Sequence, residues 1–423
     1  MATETIDTVV VGGGQAGLAM SEHLGKMDLS HVVLERHRIA ERWRTERWDS
    51  LVANGPAWHD RFPTMEFADI DPDAFPSKDS VAAYFEAFAD KISAPIRCGV
   101  EVTRVYKVAG QPGFRVETSE GEIDALNVVA ATGPFQRPVI PALVPDTPGL
   151  TQMHSATYRN PGQLAPGAVL VVGAGSSGGQ IADELLRAGR RVYLSVGPHG
   201  RPPRSYRGRD FVWWLGVLGK WDAAAPSPGT EHVTISVSGA HGGKTVDFRR
   251  YAARGMTLVG RAEGWTQGMV RFAPDLVQNI RAGDENYLSL LDEADSYVAR
   301  QGLDLPEEPE ARIIDSDPDC MTAPLAELDL VQAGVTTIIW ATGFEVDYSW
   351  LEVDVFDERG RPIHQRGVSA EQGLYFLGQS WQSRRGSAFI WGVWHDAKYL
   401  ADQIAIQESY RHYLPSAQAD HHP

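Results

Sequence analysis

Residues Thr5 to Val11 are largely β-branched, with Ile6, Val9, Val10 and Val11 in close succession, the pattern of a strand buried on both faces of a parallel sheet. Gly12-Gly13-Gly14-Gln15-Ala16-Gly17 follows, then Leu18, Ala19, Met20 and Leu24 at helical spacing, then His31-Val32-Val33-Leu34-Glu35 as a second buried strand, which together predict a βαβ unit. Cys98 to Val108, Gly113 to Thr118 and Glu122 to Ala131 predict three strands joined by glycine-containing turns, a small antiparallel meander. Prolines crowd the stretch Gln136 to Pro166, which reads as a linker with a domain boundary near its end. The opening pattern then returns. Ala168-Val169-Leu170-Val171-Val172 predicts a strand, Gly173-Ala174-Gly175-Ser176-Ser177-Gly178 a turn, Gln180 to Arg187 a helix and Arg191 to Val196 a strand. Asn286 to Gln301 has the spacing of an amphipathic helix, and Asp420 to Pro423 is expected to fray.

The length of 423 residues suits two or three domains. Lys plus Arg number 39 against 55 Asp plus Glu, a formal charge of −16, so a nucleic-acid partner is disfavoured. The two cysteines, Cys98 and Cys320, are far apart in sequence and supply neither a disulfide framework nor a close redox pair. No histidine spacing suggests a metal site. The chain lacks an apolar run of about twenty residues and an export-type start, which predicts a cytoplasmic protein without a membrane span.

The glycines of the first unit do separate jobs: Gly12 permits a tight turn, Gly14 lets backbone approach a pyrophosphate, and Gly17 lets the helix pack on its strand. Glu35 ends the second strand, where a carboxylate accepts from a ribose hydroxyl, so this site suits FAD. The second turn repeats the pattern at Gly173, Gly175 and Gly178, with Ser195 in place of the acid. A serine tolerates a 2′-phosphate that a carboxylate would repel, and Arg201, Arg204, Arg207 and Arg209 follow, so NADPH is expected over NADH. The alternative for these arginines is a solvated loop.

These motifs resemble those of the class B flavin-dependent monooxygenases, which include the flavin-containing monooxygenases, the plant YUCCA enzymes and their bacterial relatives. The likeness runs through nearly the whole chain and is weakest between about Gly197 and Asp247. Beyond the paired glycine turns it rests on Trp43-Arg44 leading into Arg47-Trp48-Asp49-Ser50-Leu51, and on Phe75-Pro76-Ser77-Lys78 with Tyr84-Phe85. It rests also on Ala131-Thr132-Gly133, on Ala341-Thr342-Gly343-Phe344, and on the strand Gly373 to Gly378. Asn54-Gly55-Pro56 is similar to a segment of the bacterial members, and the resemblance implies that Asn54 stands at the reactive edge of the flavin; Asn-Gly is equally a common turn. One motif departs. His154 and Tyr158 keep the family spacing, but Pro148 and Leu150 occupy its Phe and Gly positions, and Tyr158 is followed by Arg159 rather than a Baeyer–Villiger ending. For His154 a backbone-satisfied core or linker position and domain-hinge positioning weigh more than proton transfer.

The resemblance implies an α/β fold of two Rossmann-like domains, the second inserted into the first. The expected division is 1–160 and 344–423 for FAD, and 161–343 for NADPH with a pocket-shaping elaboration at about 201–300. Cofactor contacts are expected from Gly12, Gly14, Gln15, Ala16, Gly17, Glu35, Arg36, Trp43, Arg44, Val102, Thr132, Gly133, Gly378 and Gln379. The remaining ones are Gly173, Gly175, Ser176, Ser177, Gly178, Ser195, Arg201, Arg204, Ala341, Thr342 and Gly343. In the family NADPH reduces FAD, dioxygen adds at C4a, and the resulting hydroperoxyflavin passes one oxygen atom to nitrogen, sulfur or an activated carbon. The partners are then dioxygen and a small apolar or aromatic substrate, with a homodimer common among relatives. Trp213 and Trp214, near Trp221, together with Phe389 and Trp391, are expected to line a dry pocket; core packing and a membrane patch are the alternatives for the first group. Rival functions are a Baeyer–Villiger oxygenase, an NADPH oxidase or flavin reductase releasing peroxide, and a flavin-binding redox sensor.

Overall fold

The computed structural model describes residues 3–224 and 235–413; the tail expected to fray, Asp420 to Pro423, lies outside the described residues. Two parallel-rich sheets organise the chain. The first has ten strands, with the spatial order Leu351–Glu352, Val102–Tyr106, Phe114–Thr118, Gly121–Ala130, Glu4–Val11, His31–Glu35 and Ile96–Cys98 along its main path. Glu4–Val11 pairs in parallel with both His31–Glu35 and Gly121–Ala130, and its buried end, Val9 to Val11, is apolar without alternation because both faces are covered. Val10 faces one core, with the helices Gln15–Lys26, Lys78–Lys91 and Ile390–Arg411; Val9 and Val11 face another, with the antiparallel strands. Those strands pair as a meander, Val102–Tyr106 to Phe114–Thr118 to Gly121–Ala130. Leu374–Phe376, from the far end of the chain, adds in parallel beside Gly121–Ala130.

The second sheet has five parallel strands in the order Thr257–Val259, Val192–Ser195, Ala168–Val172, Val335–Trp340 and Thr151–His154. Thr151–His154 lies inside the proline-rich stretch read above as a linker. Prolines bracket it without interrupting it, and Val335–Trp340 needs a partner on its open side. The long helix runs Leu276–Gln301 and so begins ten residues before Asn286. Its first turns carry Gly283, which weakens the helical signal, but a methyl group there would sit 2.7 Å from Nε2 of buried His199, so tertiary packing requires the glycine.

Candidate functional site

At the first glycine turn, a methyl group on Gly17 would lie 1.9 Å from the carbonyl oxygen of Gly12, and one on Gly12 would lie 2.7 Å from the carbonyl of Ala131. Both glycines are therefore closure points where helix, turn and strand touch. Gly14 differs: it is the N-cap of helix Gln15–Lys26, no side chain caps that helix, and nothing lies within 4 Å of where its methyl would be. Free amides, a helix dipole and open space form a cradle that fits a pyrophosphate. Glu35 braces the turn, its Oε2 accepting from the Gly13 amide at 2.7 Å and Oε1 from His37 at 2.9 Å. Gln15 Nε2 donates to the Ala388 carbonyl at 2.6 Å, tying the cradle to the loop before the last helix, and a methyl on Gly378 would meet Ala16 at 2.9 Å. Gln379 is held by Tyr348 and His364, and Thr132 and Gly133 both accept from Gln136.

Other residues expected at the FAD site are spread more widely. Trp43 packs against the cores of both sheets, and Arg44 pairs with Glu86 at 2.6 Å. Arg36 is exposed, 4.0 Å from Glu101, and Val102 is a half-buried strand residue beside the second core of the first sheet.

The second turn has the same construction. Methyl groups on Gly173 and Gly178 would lie 2.4 Å from the Ala341 carbonyl and 1.8 Å from the Gly173 carbonyl, and Gly175 begins helix Ser176–Arg187 without a side-chain cap. Ser177 lies in its first turn, and Ser176 Oγ donates to the Ile235 carbonyl at 2.8 Å. Ala341, Thr342 and Gly343 follow the neighbouring strand; the Ala341 amide donates to Val172, the Thr342 hydroxyl to Val139, and Gly343 accepts from His154.

The arginine and serine expectation is corrected here. Ser195 is buried, and its single hydroxyl proton goes to the Gly260 carbonyl at 3.0 Å while its oxygen accepts from Ala262 at 3.1 Å. It braces a bend and has no donor left for a phosphate. Arg201 is buried against Asp284 at 2.8 Å and Asp247 at 3.3 Å, and Arg204 is buried against Asp210 at 2.6 Å. Neither forms a solvated loop or offers an open anion site, because each charge is already matched by a carboxylate. The signal missed in the sequence is the aspartate set Asp210, Asp247 and Asp284.

The two halves meet at Asn54. Its Oδ1 accepts from Gln180 Nε2 at 2.9 Å, one turn into the second fingerprint helix, and its carbonyl accepts from Arg204 Nη1 at 2.6 Å. Asp60 fixes the turn, with Oδ2 on the Gly55 amide at 2.8 Å and Oδ1 2.8 Å from His59 Nδ1. The His59 ring stacks on Trp221 at 5.3 Å and meets Trp58 and Trp391 edge-on. Phe389 meets Trp221 at 5.1 Å, so Phe389 and Trp391 share one aromatic cluster next to the Asn54 turn.

Trp213 and Trp214 do not join it, which corrects the expected pocket lining. Trp214 is wholly buried with Tyr206, Tyr287 and Leu291, its Nε1 donating to the Tyr206 carbonyl at 2.9 Å, and Trp213 stands edge-on to it. Helix Phe211–Val217 presents its other side, Phe211, Val212 and Leu215, to Trp221 and Trp391. His154 is buried, with Nε2 on the Gly343 carbonyl at 3.0 Å and Nδ1 accepting from Ala156, so backbone groups satisfy both nitrogens. Sequence reasoning missed His59, Asp60 and Gln180; Gln180 acts on a partner 126 positions away, and His59 packs on Trp221 and Trp391, farther still along the chain.

Comparison with known proteins settles the family. A model described as pyridine nucleotide-disulphide oxidoreductase matches residues 9–207. The chain is similar to the uncharacterized oxidoreductase CzcO-like of Geobacillus kaustophilus (strain HTA426), 36% identical over 403 residues, covering 94% of this chain and 98% of that one. It is also similar to the indole-3-pyruvate monooxygenase YUCCA1 of Oryza sativa subsp. japonica, 34% identical over 195 residues, 44% of this chain and 47% of that one. The chain belongs to the CzcO-like oxidoreductases. Membership makes it an oxidoreductase. Its fold is similar to that of a flavin-containing monooxygenase from Stenotrophomonas maltophilia, with TM-score 0.64, 21% identity and coverage of 96% and 99% of the two chains. It is likewise similar in fold to a bacillithiol disulfide reductase from Staphylococcus aureus, with TM-score 0.61, 13% identity and coverage of 96% and 100%. No described helix is long and apolar enough to cross a membrane.

Proposed function

We propose that this chain transfers one oxygen atom from dioxygen to nitrogen, sulfur or an activated carbon of a small apolar or aromatic molecule. NADPH supplies two electrons and the second oxygen atom leaves as water. The observation that carries this reading is the Asn54 junction, where the Asn54 side chain meets the helix that starts at the second cradle and His59 of the same turn packs on Trp391, just after the loop whose Ala388 is tied to Gln15 of the first. Bound FAD would supply the hydride acceptor and the oxygen chemistry. The chain holds its pyrophosphate at Gly14 and the following amides, and Gly175 to Ser177 do the same for the nucleotide. Asn54, held from both sides, presents a fixed amide where the two carriers meet, and Trp58, Trp221 and Trp391 keep that place apolar, which slows wasteful loss of peroxide. With Ser195 committed to the bend, we assign the 2′-phosphate to Arg261, exposed on that same bend with its carboxylate neighbour Asp275 at 3.9 Å. The division into an FAD part at both chain ends and an inserted NADPH part is supported by the membership of the two sheets.

A disulfide reductase is the alternative suggested by the matched family model. Against it, Cys98 and Cys320 are free, they stand in separate elements, and burial pushes the half-buried Cys320 thiol up, away from the thiolate that such chemistry requires. The test is anaerobic reduction with one equivalent of NADPH, followed by mixing with aerated buffer containing a thioether. Expected are sulfoxide and slow peroxide release; immediate stoichiometric peroxide without oxygenated product would overturn the reading in favour of an oxidase.

A further inference from the structure

The loop entering the last helix carries two consecutive arginines that the fold treats differently. Arg384 donates to Asp222 at 2.7 Å and lies over the Trp391 ring. Arg385 is half-buried, and among the described residues its guanidinium has neither a carboxylate partner nor a hydrogen bond. What it faces is aromatic, the Trp221 ring with its centroid at 6.0 Å. Burial pushes its pKa down, with no acid opposing that effect. An unmatched and partly desolvated cation keeps an unmet demand for an anion.

The Arg385 amide donates to the Ala223 carbonyl at 2.9 Å and the Gly386 amide to the Trp221 carbonyl at 3.0 Å, so the loop is strapped along the Trp221 segment. Three residues on, Ala388 accepts from Gln15 of the first cradle, and Phe389, an exposed large hydrophobic residue, stands edge-on to Trp221. His59, tied through Asp60 to the Asn54 turn, stacks on the same Trp221. A lone cation therefore borders an aromatic wall that reaches the candidate oxygenation site.

We propose that Arg385 is the anion anchor of the substrate site and that its occupant is an aromatic carboxylic acid, the carboxylate on the guanidinium and the ring against Trp221 and Phe389. A planar guanidinium takes a carboxylate with two parallel hydrogen bonds, and the indole surface recognises the ring. The proposal rests on the oxygenase reading above and narrows its substrate.

The test uses the FAD-loaded enzyme, with phenylacetate and the neutral phenylacetamide as probes and calorimetry as readout. The wild type is expected to bind phenylacetate about tenfold or more tightly than the amide. R385Q should erase that preference, and R385K, with a single charged point, should restore only part of it. FAD content, the visible flavin spectrum and NADP⁺ affinity should not change in either variant. The proposal is overturned if the wild type shows no preference for the acid or if R385Q retains it. It is overturned equally if R385Q loses FAD or weakens NADP⁺, because the guanidinium would then serve a cofactor. Failure of the oxygenase reading would appear separately, as immediate peroxide in the aeration assay, with the binding preference intact.

Discussion

Gly14→Ala separates cofactor binding from folding. Gly14 has φ −87° and ψ −165°, a conformation open to alanine, and the added methyl would meet nothing within 4 Å. The FAD-free protein should then lose at most about 1 kcal/mol, the order of a weakened N-cap. The same empty space is where a pyrophosphate must stand to reach the uncapped amides. A methyl there removes one charge-assisted hydrogen bond or lengthens two, worth about 2–3 kcal/mol, so FAD should bind roughly 30- to 150-fold more weakly. Flavin is stripped, the apoprotein is titrated with FAD by fluorescence quenching, and both forms are melted. Gly17→Ala is the contrast: its methyl would fall 1.9 Å from the Gly12 carbonyl, so that apoprotein should melt markedly lower as well. Unchanged FAD affinity in Gly14→Ala would refute the cradle.

Other consequences are open to measurement. Gln180→Leu removes the donor to Asn54 Oδ1 and to the Val237 carbonyl, which should cost about 1–3 kcal/mol and raise the fraction of NADPH electrons appearing as peroxide; an unchanged fraction would detach Asn54 from its role. Ser195→Ala should lower the melting temperature and leave the NADPH-to-NADH preference alone, whereas Arg261→Ala should raise the KM for NADPH about tenfold and spare NADH; the opposite pattern would return the phosphate to Ser195. Burial pushes His23 down to about 4 and lowers His31, His154, His199 and His364 as well. Above the ordinary histidine value near 6.5 both the folded and unfolded states are neutral. Below it the unfolded chain takes up protons that the native histidines refuse, so stability should fall as pH drops from about 6.5 toward 4, by roughly 3 kcal/mol for His23 alone. Urea midpoints at several pH values check this, and a midpoint that rises on acidification would contradict it.

Local patterns were enough for much of the fold. Val9 to Val11 and Ala168 to Val172 are apolar on both faces because parallel strands are covered on both sides, and the spacing Gly12, Gly14, Gly17 and its repeat at Gly173, Gly175, Gly178 follows from how a turn must touch a strand. The turn, its helix and the next strand form one local unit of about thirty residues, so composition and spacing express it, even though its strand and glycines also touch partners such as Ala131 and Ala341 far along the chain. Thr151–His154 was not legible, since a short strand among prolines becomes one only when Val335–Trp340 offers it an edge.

The site divides along the same line. Asn54, Phe389 and Trp391 could be selected from motifs, but which aromatic residues share a wall, and that Trp213 and Trp214 turn into a different core, depends on helix facing. Arg201, Arg204 and Ser195 were misread because a charge or hydroxyl is available to a ligand only if the fold leaves it unpaired. Asp284, 83 positions from Arg201, and Gly260, 65 from Ser195, decide that. By itself the sequence determined the two cradles and their order along the chain. Only the tertiary structure decided which polar groups neutralise one another and which, like Arg385, are left to meet something else, because pairing is a property of distance in space, and residues close in space are here far apart along the chain.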